Sequence, residues 1–168
     1  MYLISGCLLG HNCKYNGGNN YNQDVIDFAA CHSCFTVCPE GISGLPIPRP
    51  PAEYVGDKVI DKEGRDVTCY FEQGAKDSLT AAQAEAERRG EVIEGAVLKA
   101  NSPSCGSGVI YDGTFSGRLT GGNGMFTDKL IDACLEERAN PDIEAESRVF
   151  ADDFKICDEN HFMKVFGK

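Results

Sequence analysis

The sequence has no tryptophan, fewer basic than acidic residues, and no long apolar run. Its 16 Lys and Arg residues stand against 26 Asp and Glu residues, for a formal net charge of −10. A protein that binds the nucleic-acid backbone needs clustered positive charge, so this balance argues against a nucleic-acid partner. A membrane-spanning helix needs about 20 consecutive apolar residues, so the lack of such a run argues against a membrane protein.

The first residues also lack the basic stretch that begins a secretory signal peptide. We therefore expect a cytoplasmic protein whose thiols stay reduced. Apolar residues make up 42% of the chain and charged residues 25%, as in ordinary soluble domains. A length of 168 residues is enough for one domain with its own core.

Cysteine is the residue type that is present in unusual number. Nine cysteines in 168 residues are about 5% of the chain, which is below the roughly 8–10% of secreted disulfide scaffolds. An odd number also leaves at least one thiol outside any complete set of internal disulfides. The cysteines are therefore expected to be metal ligands, catalytic groups or buried thiols rather than bridges.

Apolar patterning predicts alternating strands and helices. Short apolar runs predict strands at 2–5, 35–38, 96–99 and 109–111, and helical spacing predicts helices at 24–30, 75–89 and about 125–138. The turn at 62–65 predicts a hairpin insertion between 58–61 and 66–69. Such alternation indicates an α/β domain around a mostly parallel sheet.

The last part of the chain is more charged and less regular. Its pattern predicts a strand near Val149 and a short helix near His161. We expect residues 1–138 to form the α/β domain and residues 139–168 to form a C-terminal extension packed on it.

Cysteines follow three of the predicted strands. Cys7, Cys38 and Cys105 come at or after the first, second and third strands. The carboxyl ends of parallel strands meet at one edge of a sheet, where ligands bind in such folds. Three thiolates from separate loops are able to hold a metal or an iron–sulfur cluster. Structural zinc sites prefer four ligands in paired knuckles, and scattered buried thiols remain the alternative.

A second cysteine pattern competes with the first. Cys31, Cys34 and Cys38 are spaced Cys-x2-Cys-x3-Cys, and Pro39 follows, as at the end of a ferredoxin run. The ferredoxin run would need one more cysteine at position 28, where the sequence has Phe28. A local thiol pair at Cys31 and Cys34 is the simpler interpretation.

Several runs of the sequence together carry a family resemblance. They lie at 5–10, 13–17, 38–40, 44–53, 74–75, 98–106 and 110–117. In these runs the chain resembles the thiouracil desulfidase family, long catalogued as a domain of unknown function. The resemblance implies a compact Rossmann-like α/β domain that removes sulfur from a thiolated pyrimidine, giving the oxo base and hydrogen sulfide.

The same resemblance implies a cofactor and roles for individual residues. A 4Fe–4S cluster would be held by Cys7, Cys38 and Cys105, with one iron not bound by protein and therefore vulnerable to oxygen. The family's catalytic Glu and Ser match Glu40 and Ser102.

Three further residues are candidates for substrate binding. They are Arg49, Ser104 and Asn101, and a surface salt bridge is the alternative for Arg49. Lys99 is interpreted as a sheet-edge residue and Glu53 as a solvated or capping carboxylate.

Two other functions remain open. The extra thiols of Cys13, Cys31 and Cys34 allow a non-enzymatic iron–sulfur or zinc-binding module that senses redox state. A desulfurase for thiolated tRNA is disfavoured by the negative charge. A small thiolated base is the expected partner of the enzyme, and the sequence leaves the oligomeric state open.

Overall fold

The computed structural model describes residues 1–167. Its strands are β1 (Tyr2–Ser5), β2 (Cys34–Val37), β3 (Ala52–Val55), β4 (Lys58–Asp61), β5 (Ile93–Leu98), β6 (Val109–Tyr111), β7 (Leu119–Gly121) and β8 (Phe150–Asp158). Its helices are α1 (Gln23–Cys31), α2 (Pro39–Ile42), α3 (Thr68–Arg89), α4 (Met125–Ala139) and α5 (Phe162–Val165).

The central sheet has the order β2-β1-β5-β8, and every pairing in it is parallel. The expected α/β class with a mostly parallel sheet is confirmed. Successive side chains of a strand point to opposite faces, so both faces of the sheet must be covered. Leu3 and Ala96 pack against α3 and α4, whereas Ile4 and Val97 pack against α1 and α5.

A small hairpin insertion is present, as predicted, but the predicted pairing of 58–61 with 66–69 is wrong. The antiparallel pair is β3 with β4, and residues 66–69 do not form its second arm. Asp66 makes a single bridge to Ile60 and then accepts hydrogen bonds from the backbone N–H and hydroxyl of Thr68. This local contact starts α3 at Thr68, seven residues before the predicted start.

The second strand has the predicted length but lies one residue earlier in the chain. It runs from Cys34 to Val37, because Pro39 occupies the first turn of α2 and Cys38 is at the N-cap position of this helix. Cys38 is therefore held at the junction of a strand and a helix, which fixes its backbone.

The C-terminal segment completes the sheet. β8 is nine residues long and pairs with β5 at five positions, with a register shift between Ile93 and Gly95. α5 packs on the sheet through Phe162, which is buried. In the described part of the chain, no helix combines the length and apolarity that a membrane crossing requires.

Candidate active site

The loops that follow β1, β2 and β5 surround one cavity of about 420 Å³. Its position at the carboxyl ends of parallel strands is where α/β folds bind ligands, and its size suits a small molecule. The proline-rich loop before β3 and the turn between β6 and β7 close its other sides.

Three cysteines from separate loops line this cavity. Cys7 lies in a 3-10 turn directly after β1, Cys38 caps α2, and Cys105 lies in the loop after β5. Cys7 and Cys105 are buried and Cys38 is partly exposed, and all are free thiols. Tertiary folding thus brings together the three cysteines that the strand pattern singled out.

A fourth thiol lies between two of them. The thiol of Cys13 is a hydrogen-bonding neighbour of both Cys7 and Cys38, and Asn20 donates to the Cys7 sulfur at 3.4 Å. The hydrogen bond from Cys13 is the main reason that the pKa of Cys7 falls to about 7, and it also lowers the pKa of Cys38. Burial raises the pKa of Cys105. Two of the thiols are thus biased toward the thiolate form in which cysteine binds metal.

Glu40 and Ser102 meet on the wall of the same cavity. Ser102 Oγ donates to Glu40 Oε1 at 3.3 Å. The Ser102 oxygen also accepts hydrogen bonds from the backbone N–H groups of Ser104 at 3.1 Å and Cys105 at 3.2 Å. These two donors occupy the lone pairs of the hydroxyl, so its proton is directed toward the carboxylate.

Arg49 is buried and is bound to Glu40 rather than to solvent. Its Nε and Nη2 atoms lie 3.3 and 2.8 Å from Glu40 Oε2, and Nη2 also donates to the carbonyl of Cys13 at 3.1 Å. The guanidinium therefore fixes one carboxylate oxygen and leaves Oε1 for Ser102. A surface salt bridge, the alternative considered for Arg49, does not describe this pair, since the Arg49 side chain is only 4% exposed.

The other two candidate substrate-binding residues differ in position. Ser104 lines the cavity and is buried, and its hydroxyl has no hydrogen-bond partner within residues 1–167. Asn101 does not line the cavity. Its φ of 62° lies in the left-handed region, which asparagine tolerates better than most residues, and it turns the chain between Lys99 and Ser102.

The cavity wall is cationic although the protein is acidic. Lys14, Arg49, Lys62 and Lys99 line it, against the carboxylates of Glu40 and Glu53 and that of Glu159, which pairs with Lys99. Four positive charges against three negative ones, in a protein of net charge −10, favour an anionic occupant, such as thiolate-ligated metal or sulfide.

The competing run Cys31-x2-Cys34-x3-Cys38 is not assembled at this site. Cys31 is exposed at the end of α1, and Cys34 begins β2 and packs on the α1 face of the sheet. Strand β2 separates Cys34 from Cys38 by about 13 Å at 3.3 Å per residue.

The cavity residues fit an iron–sulfur cluster better than a single ion. Within residues 1–167, no group of three His, Cys, Asp or Glu side chains is arranged to hold one metal ion. A cluster spreads its cysteine ligands over different irons, so thiols arrayed around a cavity suit it.

Comparison with known proteins decides the family. The model of the 2-thiouracil desulfurase family matches residues 2–139. The chain belongs to this family. A relative from Bacillus subtilis (strain 168), described as uncharacterized protein YbbK, is 38% identical, and the match covers 74% of this chain and 85% of that protein.

A solved structure is similar to this member of the 2-thiouracil desulfurase family over nearly the whole chain. It is described as the [4Fe-4S]-dependent thiouracil desulfidase TudS, with a TM-score of 0.74 and 32% identity. The match covers 97% of this chain and 93% of that one. The resemblance recognised in the sequence is confirmed.

Part of this candidate site could not be predicted from the sequence. The sequence gives Cys13 a role only in the alternative redox-sensing module and gives Lys99 and Glu53 no part in the chemistry, yet all three line the cavity. Cys13 and Glu53 lie within the runs 13–17 and 44–53, which carry the family resemblance, and this was the signal available for them. No local pattern showed that these runs face the loop after β5 across the cavity.

Proposed function

We propose that the protein is a 4Fe–4S-dependent desulfidase that hydrolyses the carbon–sulfur bond of a thiolated pyrimidine. The observation that carries the proposal is the convergence of Cys7, Cys38 and Cys105 on the cavity where Glu40 and Ser102 meet. Family membership and the similarity to a thiouracil desulfidase support it.

Cys7, Cys38 and Cys105 would hold the cluster and leave one iron without a protein ligand. When bound, the cluster supplies an exposed Lewis-acidic iron with an affinity for sulfur. The overall reaction is redox-neutral: the thiocarbonyl and one water give the carbonyl and hydrogen sulfide. No external electron donor or acceptor is required.

Glu40 and Ser102 supply the proton transfers that this hydrolysis needs. Water must lose a proton as its oxygen bonds to the ring carbon, and sulfur must gain protons as it leaves. Arg49 donates a hydrogen bond to Glu40 Oε2, and Ser102 on the cavity wall donates one to Glu40 Oε1. These two bonds orient the carboxylate for general acid–base catalysis. Ser102 would hold Glu40 Oε1 in place through the hydrogen bond that its hydroxyl donates, until a water takes over that position beside the carboxylate.

The cavity also favours a small substrate over a macromolecule. A volume of about 420 Å³ accommodates a small-molecule ligand, and the basic side chains of the wall favour the deprotonated, anionic form of a thiolated base. The net charge of −10 disfavours tRNA as the substrate.

The test is sulfide release by anaerobically reconstituted protein supplied with 2-thiouracil or 4-thiouracil in ¹⁸O-labelled water. We expect equal amounts of sulfide and uracil, with one labelled oxygen per uracil and no added reductant. Glu40→Gln should lower kcat by about 100-fold, the usual scale for removing a general acid or base. It should keep its iron.

Glu136→Gln is the matched control, because Glu136 is exposed on α4 and lies away from the cavity. It should retain full activity. Cluster-loaded wild-type protein that releases no sulfide from a panel of thiolated bases would contradict the proposal and favour the non-enzymatic module. Unlabelled uracil would exclude hydrolysis.

A further inference from the structure

The turn between β6 and β7 places an aromatic ring at the cavity in an unfavourable backbone conformation. Phe115 lies in this turn, lines the cavity, and has a φ of 55°. This region is sterically costly for a residue with a side chain, and a bulky ring is a genuine outlier there. Such strain persists only where surrounding contacts enforce it, and it is concentrated at ligand-binding sites.

A buried carboxylate provides those contacts. Glu53 on β3 is 8% exposed, and its Oε2 atom accepts hydrogen bonds from the backbone N–H groups of Gly113 and Phe115, both at 3.0 Å. The turn lies so close to β3 that a Cβ on Gly113 would be 2.2 Å from the carbonyl oxygen of Tyr54. Glu53 thus fixes the backbone that carries the ring.

The ring has no role in the core. Phe115 is half-buried and belongs to none of the buried clusters of residues 1–167. Tyr15 and Tyr111 line the same cavity. An aromatic surface beside the cationic, thiol-rich wall offers a planar ligand a face to stack against.

We propose that Phe115, held by Glu53, is the surface on which the planar ring of the substrate stacks. This inference rests on the proposed function and narrows it to planar heterocyclic thiocarbonyl compounds. Phe115 contacts substrate, whereas Glu53 is a positioning residue that acts through the turn.

Steady-state kinetics of the cluster-loaded enzyme test the proposal. In Phe115→Ala we expect the KM for 2-thiouracil and the inhibition constant of uracil to rise together by about tenfold, with kcat within about twofold of wild type. Phe115→Tyr should restore both constants. Unchanged constants in Phe115→Ala, at unchanged iron content, would overturn the proposal.

Glu53 gives a second pair of variants. A single oxygen accepts both backbone hydrogen bonds, so Glu53→Gln, which keeps one carbonyl oxygen, should behave like wild type. Glu53→Leu removes the acceptor and should raise both constants as Phe115→Ala does. If Glu53→Leu lowers kcat or iron content while both constants stay at wild-type values, the positioning role is wrong.

Because the chain has no tryptophan, the fluorescence of a single introduced tryptophan can report ligand binding directly. Phe115→Trp would be the only tryptophan of the chain, and uracil stacked on it should quench its fluorescence in a saturable way. Tyr70→Trp, at an exposed position on α3, is the control and should not respond. A Phe115→Trp enzyme that releases sulfide but shows no quenching would refute stacking and leave the proposed function intact.

Discussion

Glu159 binds Lys99 and the neighbouring backbone at once. One oxygen of its carboxylate accepts a hydrogen bond from Lys99 Nζ, and the other accepts one from the Ala100 N–H at 2.7 Å. Glu159 follows β8 and lies outside residues 2–139, the part that the family model matches. A residue of the C-terminal segment therefore holds the first residues of the loop that carries Ser102.

The first prediction concerns this contact. Glu159→Gln keeps an acceptor for the Ala100 N–H but removes the charge that Lys99 faces, so the free energy of unfolding should fall by about 1–2 kcal/mol. Chemical denaturation of the variant and of Glu87→Gln, an exposed control on α3, measures the difference. Equal losses in the two variants would contradict a specific role for Glu159.

The second prediction concerns the C-terminal segment as a whole. A chain shortened to residues 1–148 loses β8 and α5, and with them the buried side chains of Phe150, Cys157 and Phe162. It also exposes the edge of β5, a template for aggregation. We expect no cooperative thermal transition and aggregation in size-exclusion chromatography. Cooperative unfolding would show that residues 1–148 fold independently.

The third prediction tests the packing that holds Cys38 in place. A Cβ on Gly74 of α3 would lie 2.1 Å from the backbone carbonyl oxygen of Pro39 in α2, so one of the two helices would have to shift. Gly74→Ala should therefore cost about 3 kcal/mol of stability and reduce iron incorporation, because Cys38 precedes Pro39.

Gly121→Ala is its control, since a Cβ there meets nothing within 4 Å. We expect a lower melting temperature and a lower iron content in Gly74→Ala than in Gly121→Ala. A stable Gly74→Ala protein with full iron content would show that α2 and α3 can separate without loss of the site.

The fourth prediction separates the cysteines by function. Single substitutions of Cys7, Cys38 or Cys105 by serine should abolish iron binding and the absorption near about 400 nm that iron–sulfide charge transfer gives. Cys13→Ser should keep its iron and its absorption near about 400 nm. Cys69→Ser, at an exposed position, is the control and should also keep both properties. Loss of iron in Cys13→Ser would mean that a fourth thiol is needed to hold the cluster.

The fifth prediction decides between two roles of Arg49. Two nitrogens of Arg49, Nε and Nη2, donate to Glu40 Oε2, as expected of a residue that positions the carboxylate. Lysine has a single nitrogen and cannot form both contacts. Arg49→Lys should therefore lower kcat about tenfold and leave KM within about twofold of wild type. A raised KM with unchanged kcat would instead assign Arg49 to the substrate, as expected from the sequence.

Part of this architecture was readable from local pattern. Apolar runs identified β1 and β5, and helical spacing identified α3 and α4, because each element must bury one face or stripe. Pattern failed at the hairpin, where prolines up to Pro51 obscured the strand that begins at Ala52. It failed again at the start of α3, where the contact between Asp66 and Thr68 overrides the apparent strand.

The α/β class, the family and the candidate cysteines at strand ends follow from residue type and order along the chain. Three relationships are visible only in the folded molecule: Arg49 binds Glu40, Cys13 lies between Cys7 and Cys38, and Glu53 accepts the backbone hydrogen bond of Phe115. Each of these contacts joins segments that are separate along the chain. The packing of the strands, helices and loops sets the positions of those segments, so no local pattern specifies their partners.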